Sequence, residues 1–565
     1  MSKLVAILCS LPLLGLLIAN TLRAKDLHVS PLGSHLAPYS SWTTAATNIQ
    51  AAVDAAIEGD SVLVTNGTFV ITQQILVANG ITLRSIGGPT NTMIDANGTA
   101  RCVFLAHSNA VLQGFTLTRG LAPVNQGGGG VYLFQGGTVR NCAIIGNTAD
   151  FGGGLICQAG GVVQTCMIAQ NHGNSSVGGG GFLLYNGGLI YNSTVVSNSS
   201  PYGAGGLCDT GGVVTNCTVT QNSASVAGGG VYMASGGILA ASIIVSNSAR
   251  YAGGGIDINP NGGYVTDCEV SYNQVQASGQ GGGGISILRA GLVRRSLIKG
   301  NQAALANGGG IYCYSGGTIE NCQILDNIGG GGGGLNCVGD MDTYNDPRPV
   351  VRDTLIARNT ALAGGGIQCY VSNVFENCTI VSNTATITGG GIQCGGYNKF
   401  QNIIIYNNLP DNNTNSGSSS YSYCCTTPLI LGAGNTAADP VFDDSVGGDY
   451  HLRAFSPCID AGTNDSWAVN TTDLDGNPRI FNQRVDMGCY ESSISARNLR
   501  VTPQGVAVDW SAIAGATCQM QSCTNLFQGS WNNVANITVF TNRSGTILDT
   551  TPPSRSAYYR LLWLR

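Results

Sequence analysis

The sequence is poor in charge. Asp, Glu, Lys and Arg make up 10% of its 565 residues, against about a quarter in ordinary soluble proteins. The formal net charge is −5, and no Lys- or Arg-rich block occurs, which disfavours nucleic acid as a partner. Hydrophobic residues still reach 43%, so the composition favours a packed interior over disorder.

Short motifs of metal and nucleophile chemistry are also missing. The sequence has no C-x-x-C, which disfavours a zinc ribbon or a thioredoxin-like site. It has no P-loop and no G-x-S-x-G turn. The five histidines have no metal-ligand spacing, and they are His28, His35, His107, His172 and His451. No enzyme class follows from a local motif.

Long apolar runs are absent after the N-terminus. Leu4 to Ala19 follows Lys3 and has the length of a signal peptide, shorter than a comfortable membrane span. We predict cleavage after Ala24, although Leu22 is large for the −3 position, and an uncleaved anchor is the alternative. The expected location is extracellular or at the cell surface, with no transmembrane domain in the mature chain.

Glycine is abundant, with 83 residues, about twice the usual share. Much of it belongs to a repeated phrase, whose clearest copy is GGGIYCYSGGTIENCQILDN at 308–327. Related copies close at Asn147, Asn171, Asn198, Asn222, Asn247, Asn273, Asn301, Asn359, Asn383 and Asn407. A period in the twenties, sustained over this length, predicts a solenoid with one coil per repeat.

Each repeat has a glycine run, a short strand, a Gly-Gly turn, a second strand and the closing Asn. Such a coil has no room for a helix between parallel strands, so each strand is expected to pair with its equivalents one coil away, at roughly 4.8 Å. The closing asparagines are predicted to stack as a ladder at a turn, in the left-handed conformation that Asn tolerates.

Most of the 20 cysteines, 19 of which follow the leader, fit the same repeat. Four pairs are nine residues apart: Cys157 and Cys166, Cys208 and Cys217, Cys313 and Cys322, Cys369 and Cys378. Other coils carry Leu133, Met233, Ile258 or Ile287 in the first position and Ser193, Ser242, Ser296 or Thr354 in the second. This exchange predicts buried slots, and disulfides between neighbouring coils, such as Cys142 to Cys166, are the alternative.

Two resemblances support this fold. NIQAAVDAAIEGDSVLV, within a helix predicted over Thr44 to Glu58 and the following strand, resembles the N-terminal cap of pectin-lyase-like right-handed parallel β-helices. The repeats at about 127–410 resemble those of polymorphic outer-membrane proteins, which are extracellular β-helical adhesins. The predicted fold class is therefore all-β, a right-handed parallel β-helix with a short capping helix.

The C-terminal region differs from the repeats. GAGNTAADPVF, GGDYHLRAFSPCIDAG, DLDGNPRI and VDMGCYE, within 421–491, resemble the C-terminal region of secreted choice-of-anchor Q proteins. That resemblance implies last coils and a cap at 411–495, with a Cys458–Cys489 pair. We predict further divisions at 25–120 (cap and irregular coils), 121–410 (regular coils) and 497–565 (a small β-sandwich).

One charged insertion interrupts the regular coils at 339–353. Its carboxylates could bind Ca²⁺ and its arginines could abstract a proton beside a uronate carboxylate. The candidate catalytic residues are Asp340, Asp342, Asp346, Arg348 and Arg352. A solvated surface loop is the alternative.

Polar and aromatic residues recur at outward positions after the glycine runs. If coils stack in register, these residues form a face on which aromatic rings stack on sugars and amides bond hydroxyls. The candidate substrate-binding residues are Tyr132, Tyr232, Asp257, Tyr312, Tyr314, Asn336, Gln368, Tyr370 and Gln393; Ser286, Phe134, Gln158, Tyr185 and Asn259 occupy equivalent positions. Plain surface decoration is the alternative.

A third candidate is the loop DLDGNPR. Asp473, Asp475 and Asn477 have the i, i+2, i+4 spacing of a calcium loop. The Glu expected at the twelfth position is missing, and Val485 lies near it. Calcium is thus a candidate ligand, and no cofactor is otherwise required.

Two functions fit these observations. The first is a secreted or surface-attached, monomeric β-helix that binds a polysaccharide or a cell-surface glycan in the manner of an adhesin. The second is a lyase or hydrolase acting on an acidic polysaccharide. A structural spacer is a third alternative, and whether the protein is an enzyme stays open at this point.

Overall fold

A computed structural model describes residues 24–176, 178–339, 348–453, 456–480, 483–492, 495–511, 517–523, 531–534, 538–539, 544–550 and 558–564. The chain is an all-β, right-handed parallel β-solenoid, as predicted. Four sheets, A to D, run along it, and a regular coil visits them in the order A, B, D, C.

The sheets have 16, 15, 14 and 10 strands for A, B, C and D. The strands of sheet A are Asp26–Val29, Ser61–Val64, Thr82–Ser85, Val111–Gln113, Thr138–Arg140, Val162–Gln164, Leu189–Tyr191, Val213–Thr215, Ile238–Ala240, Tyr264–Thr266, Leu292–Arg294, Thr318–Glu320, Val350–Arg352, Val374–Glu376, Lys399–Gln401 and Ser420–Ser422. Those of sheet B are Gly67–Val70, Thr92–Asp95, Thr116–Thr118, Ala143–Ile145, Met167–Ala169, Thr194–Val196, Thr218–Thr220, Ile243–Val245, Glu269–Ser271, Leu297–Lys299, Gln323–Leu325, Leu355–Ala357, Thr379–Val381, Ile404–Tyr406 and Cys425–Thr426.

Sheets C and D flank the glycine runs. The strands of sheet C are Ile75–Val77, Val103–Leu105, Val131–Leu133, Leu155–Cys157, Phe182–Tyr185, Gly206–Asp209, Val231–Met233, Ile256–Ile258, Ile285–Leu288, Ile311–Tyr314, Leu335–Val338, Ile367–Tyr370, Ile392–Cys394 and Asn413–Asn415. Those of sheet D are Thr148–Ala149, His172–Gly173, Ser199–Tyr202, Ser223–Ala227, Ser248–Ala249, Gln274–Val275, Gln302–Ala303, Ile328–Gly329, Thr360–Ala363 and Thr384–Thr388. A further parallel pair is Gly279–Gly282 with Ala306–Gly308.

Strands in sheets A to D pair in parallel with the equivalent strands one coil away. Ile311 of one coil, for example, faces Leu335 of the next and Ile285 of the one before. This register stacks inward side chains into continuous apolar columns, which form one core cluster along the solenoid. The predicted coil-to-coil pairing is confirmed.

The cysteine columns belong to this core. Every described cysteine whose state is assigned is buried and unpaired, including Cys142, Cys166, Cys458 and Cys489. The Leu, Met and Ile residues that share the first slot are equally buried. The buried-slot interpretation is thus confirmed, and the disulfide alternatives for these cysteines are not realised in this structure.

The asparagine ladder is present, with its side chains buried. The Asn222 Nδ2 donates to the Val195 carbonyl at 3.1 Å and to Asn247 Oδ1 at 2.9 Å, and its backbone N–H donates to the same Asn247 oxygen. The left-handed conformation falls on the preceding residue, such as Gln221, and not on the ladder Asn. At the end of the ladder, Asn408 takes the place predicted for Asn407.

In the regular coils, the turn from sheet A to sheet B contains one residue with positive φ. We call this set the corner row: Asn141, Thr165, Asn192, Asn216, Ala241, Asp267, Arg295, Asn321, Asp353, Asn377 and Asn402. Asparagine and aspartate are frequent there because their short polar side chains tolerate this conformation. Several of these side chains bond the C-terminal segment of the chain.

That segment, residues 440–453, 456–480 and 483–492, is here called the strap. It was expected to close the end of the solenoid, but it folds back along the outer face of sheet B. Its Phe442, Tyr450 and Met487 pack on apolar residues of that face such as Leu355 and Ile404. Burial of this apolar surface draws the strap onto the flank. It contains the antiparallel pair Phe442–Asp444 and Asp449–Leu452 and a 3₁₀ turn at Ser466–Ala468.

The described part of the chain has a short helix near its N-terminal end and two small antiparallel sheets at its C-terminal end. Helix α1, Ile49–Ala55, is shorter than predicted, because Asn48 caps it and Ala56 leaves the helical conformation. The C-terminal module has antiparallel strands Ser495–Thr502, Gly505–Ser511 and Ser544–Asp549 in one sheet. A second sheet has Asn532–Asn533, Thr517–Cys523, Thr538–Val539 and Tyr558–Leu564.

Among the residues described, no helix has the length and hydropathy needed to cross a membrane.

Candidate functional site

Two rows of outward side chains follow the outer face of sheet C. The glycine-side row lies next to the glycine runs and contains Tyr132, Ile156, Leu183, Leu207, Tyr232, Asp257, Ser286, Tyr312, Asn336, Gln368 and Gln393. The open row lies two residues further along each strand and contains Phe134, Gln158, Tyr185, Asp209, Ala234, Asn259, Leu288, Tyr314, Val338 and Tyr370. The structure therefore brings the predicted substrate-binding residues together on one sheet.

The glycine-side row is largely covered, contrary to the expectation of an open face. In most coils the glycine four residues before the row residue has positive φ and lies over that residue's side chain. A Cβ added to Gly253 would lie 2.7 Å from the Asp257 Cβ, and one added to Gly364 would lie 2.7 Å from the Gln368 Cβ. Glycine is required here, and its backbone covers the row.

Three of the predicted binding residues are consequently buried. Asp257, Tyr312 and Asn336 expose 7%, 4% and 1% of their surface. Burial also raises the pKa of the Tyr312 hydroxyl. Tyr312 and Asn336 are therefore poorly placed to contact a ligand.

The amides of this row bond one another. Asn336 Nδ2 donates to Gln368 Oε1 at 2.7 Å, and Gln368 Nε2 donates to Gln393 Oε1 at 2.6 Å. These amides were expected to bond sugar hydroxyls, but much of their hydrogen-bonding capacity is used within the chain.

Aromatic rings close the N-terminal end of the glycine-side row. Tyr132 stacks on Phe104 with ring centroids 4.9 Å apart. The buried Arg101 guanidinium lies 4.8 Å from the Tyr132 ring and donates to the Gly128 carbonyl. Burial lowers the pKa of Arg101 to about 10. This group fixes Tyr132 as a half-buried edge of the face.

The open row is where the face meets solvent. Phe134, Tyr185 and Tyr370 expose 39%, 41% and 39% of their surface, and Tyr314 is half-buried. Gln158 lies between Phe134 and Tyr185, Asn259 lies between Ala234 and Leu288, and both are half-buried. The open row thus carries exposed aromatic rings and two amides along the solenoid.

The middle of the face holds two carboxyl groups. Asp257 lies between Tyr232 and Ser286 in the glycine-side row, and burial raises its pKa to about 7. Asp209, in the open row, was not recognised from the sequence, although it occupies the position that Tyr185 holds in the previous coil. Aligning all coils by their glycine runs would have identified it.

The charged insertion is only partly described. Asp340, Asp342 and Asp346 lie outside the described residues, and Arg348 is exposed. Arg352 donates from Nε to Glu376 Oε2 at 2.9 Å, and its guanidinium lies 4.8 Å from the Trp467 ring of the strap. Arg352 therefore lies on the outer face of sheet A, not on the sheet C face, and is held by an ion pair. The catalytic role of these five residues stays a prediction.

The candidate calcium loop is at the tip of the strap. The Asp473 carboxylate accepts hydrogen bonds from the backbone N–H groups of Asp475, Asn477 and Glu491, at 2.7 to 3.0 Å. Asp475 bonds His451 Nε2 at 2.6 Å. These bonds occupy oxygens that a cation would need, and within the described ranges no group of three or more His, Cys, Asp or Glu residues could hold a metal ion.

The loop also borders a cleft of about 390 Å³ between the strap tip and the coils. Asn321 donates to the Thr472 and Asp473 carbonyls across it. Arg295 lines the opposite wall and is paired with Asp267 at 2.7 Å. The hydrogen bonds of this cleft join the strap to the solenoid.

Comparison with known proteins agrees with the architecture. The family model of the right handed beta helix region matches residues 229–414. No curated protein sequence matches the chain.

Three solved structures are distantly similar. Pectate lyase Pel9A is 15% identical, over 83% of this chain and 96% of its own, with a TM-score of 0.24. The Dettilon tailspike protein is 11% identical, over 90% and 79%, with a TM-score of 0.30. The A-module of the Azotobacter vinelandii mannuronan C-5 epimerase AlgE6 is 12% identical, over 69% and 94%, with a TM-score of 0.26. Similarity this distant gives no information about the activity of the present chain.

Proposed function

We propose that the protein binds a polysaccharide along the open row of sheet C. The observation that carries this proposal is that exposed Phe134, Tyr185 and Tyr370 lie in one row of stacked coils together with two half-buried amides. Aromatic rings offer apolar faces to sugar rings, and amides both donate to and accept from hydroxyls.

The geometry suits a long chain more than a single sugar. Ten stacked positions at roughly 4.8 Å span on the order of 40 Å, and the solenoid backbone holds them rigidly. Because the ligand-facing side chains come from separate coils, a polymer can gain contacts coil by coil. Binding is therefore expected to strengthen with the length of the glycan.

A location outside the cell or on its surface is part of this proposal. It is supported by the leader-like sequence before residue 25. The partner is then a glycan of a cell surface or of the surroundings.

Binding of purified 25–565 protein to immobilised glycans tests the proposal. Tyr185→Ala and Tyr370→Ala should each weaken binding about 3- to 10-fold, since each removes an exposed stacking ring. Tyr264→Ala is the matched control, because Tyr264 is 55% exposed but lies on sheet A. Equal binding by all three variants, or no binding to any glycan, would contradict the proposal.

A further inference from the structure

Four thiol groups are stacked directly on one another in the core. In the first of the two cysteine slots, parallel pairing places Cys337 opposite Cys313 in the previous coil and opposite Cys369 in the next. Cys369 in turn lies opposite Cys394, and all four side chains are buried thiols. We call these four residues the thiol column. The coil spacing of roughly 4.8 Å lies within the range of about 4.4–6.8 Å between Cα atoms that a disulfide bond requires.

Elsewhere in the same slot the cysteines are kept apart. Cys157 lies between Leu133 and Leu184. Cys208 lies between Leu184 and Met233. Because these larger apolar side chains are buried in the slot as well, packing alone does not require four cysteines in succession.

The second slot also separates its thiols. Over nine coils it alternates between cysteine and a hydroxyl residue: Cys166, Ser193, Cys217, Ser242, Cys268, Ser296, Cys322, Thr354 and Cys378. Each hydroxyl oxygen accepts a hydrogen bond from the backbone N–H of the cysteine before it. Thiols two coils apart are separated by roughly 10 Å, beyond the reach of a disulfide. Among the described coils, a direct stack of four thiols occurs in the thiol column alone.

The thiols of the column interact as two pairs. Burial raises the pKa of Cys337, and a hydrogen bond with the Cys313 thiol raises it further. Burial and a hydrogen bond with the Cys394 thiol raise the pKa of Cys369 in the same way. The column therefore divides into an upper pair, Cys313 with Cys337, and a lower pair, Cys369 with Cys394.

We propose that these two pairs are disulfide-forming sites, at which the exported chain is oxidised as its last coils close. This inference rests on the proposed location outside the cell, where disulfides persist. Each bond cross-links two successive coils near the C-terminal end of sheet C, whose last strand is Asn413–Asn415. Since a solenoid repeat contacts only its neighbours, cross-links near an end oppose unwinding from that end.

The chemistry balances with a disulfide-bearing oxidant, such as glutathione disulfide or an oxidised thiol oxidoreductase. One cysteine thiolate of a pair attacks a sulfur of the oxidant, forms a mixed disulfide and releases the other sulfur as a thiolate. The second cysteine thiolate attacks the first cysteine and releases the remaining thiolate of the oxidant. The protons of both cysteines pass to the released thiolates, so that the pair loses two electrons and the oxidant gains them. Because the finished coils bury all four thiols, this exchange precedes their closure.

Peptide mapping tests the inference. The 25–565 protein is purified from an oxidising export compartment and from a reducing cytoplasm, denatured with its free thiols blocked, and cleaved at Lys, Arg and Glu. This cleavage places the four cysteines in separate peptides: Cys313 in 300–320, Cys337 in 321–352, Cys369 in 359–376 and Cys394 in 377–399. The exported protein should give the first two peptides joined and the last two joined, and a reductant should separate them. The cytoplasmic protein should give all four peptides apart.

Substitutions assign each link to the thiol column. Cys337→Val should abolish the first link and Cys394→Val the second. The matched controls are Cys322→Ser and Cys378→Ser, which lie in the same peptides but in the second slot, where hydroxyl residues already occur. Both controls should keep both links.

The outcomes separate this inference from glycan binding, which is measured on the same preparations. Free column cysteines in folded, exported protein would overturn the inference, even where a glycan binds. Loss of a link in either serine control would overturn the assignment to the thiol column. Joined peptides in a protein that binds no glycan would support the disulfides and contradict the proposed binding.

Discussion

Two aspartates of the corner row differ sharply although the fold gives them the same position. Asp267 and Asp353 both have positive φ, at the same turn of different coils. Asp267 is exposed and paired with Arg295, and that hydrogen bond lowers its pKa to about 2. Asp353 lies under the strap beside Arg479, and burial raises its pKa to about 7 despite the arginine.

The difference shows what the strap changes. In the open, an ion pair stabilises the charged carboxylate, because water still solvates both partners. Beneath the strap the loss of water outweighs the attraction of the arginine. Asp353, Asp486 and Glu491 crowd around Arg479, and burial raises the pKa of all three. Arg479 is therefore a fully buried cation that contributes to the attachment of the strap, and the attachment should depend strongly on that residue.

Replacing Arg479 with Met should have the largest effect. Arg479 is completely buried and also donates to the Asp486 and Gly488 carbonyls. Breaking a buried pair on one side costs about 3–5 kcal/mol, so the strap should lose hydrogen-exchange protection while coils at 130–290 keep theirs. Arg453→Met is the control, since Arg453 pairs with Asp443 at the surface. Equal protection in both variants would show that Arg479 does not hold the strap.

Replacing Asn402 with Ala should have the next largest effect. Asn402 Nδ2 donates to the Thr463 carbonyl at 2.9 Å, and its Oδ1 accepts from the Thr463 N–H at 2.8 Å. Loss of these buried bonds should destabilise the strap by about 1–3 kcal/mol. Asn216→Ala is matched in backbone conformation but lies on an uncovered corner, where it bonds only Asn192 among the described residues. The difference between the two variants in the free energy of unfolding by urea measures the hydrogen bonds between Asn402 and Thr463 alone. Equal losses of stability in the two variants would show that these bonds do not stabilise the strap.

The sequence predicted the coils well and the strap poorly, for a physical reason. Glycine runs, inward slots and closing asparagines repeat at one period. The role of a position in one coil can therefore be inferred from the residues at the equivalent position in the other coils. The strap accepts hydrogen bonds from Asn321, Asn377 and Asn402. These bonds join residues 61 to 152 positions apart in the sequence, and no repeat indicates them.

The candidate site was predicted in the same uneven way. The outward rows of sheet C follow from strand alternation, which the sequence contains. The burial of Asp257 and Asn336 does not, because it depends on how closely the backbone of a glycine run approaches the next strand. The amide pairing of Gln368 with Gln393 is likewise a choice of side-chain rotamers that residue type leaves open.

A change of pH should affect the stability of the strap and that of the exposed turn at Asp267 in different ways, without a mutation. The pKa of Asp353 is raised to about 7, so its contribution is present below its unfolded value near 3.8 and is lost as pH rises through 7. Burial lowers the pKa of His451, but hydrogen bonds to Asp475 and Asp449 outweigh it and raise the pKa to about 9. That contribution is present below about 6.5 and is lost as pH rises through 9. Strap protection should therefore decline progressively between about pH 4 and 9, first through Asp353 and then through His451, and by less than Arg479→Met causes, while protection of the ladder should not decline.

The exposed turn at Asp267 should show the opposite dependence of stability on pH, and the smallest effect of the four tests. The pKa of Asp267 is lowered to about 2, so its contribution is present above about 3.8 and is lost as pH falls through 2. Its partner Arg295 is about half exposed, and an exposed pair contributes less than about 1 kcal/mol. Arg295→Gln should thus change the urea midpoint only slightly at low salt and not measurably in 1 M NaCl, where the charges are screened. It should also raise the pKa of Asp267 towards its ordinary value, which carboxyl NMR titration measures. A large loss of stability from this variant would mean that solvent exposure does not explain the difference between the Asp267–Arg295 pair and the Asp353–Arg479 pair.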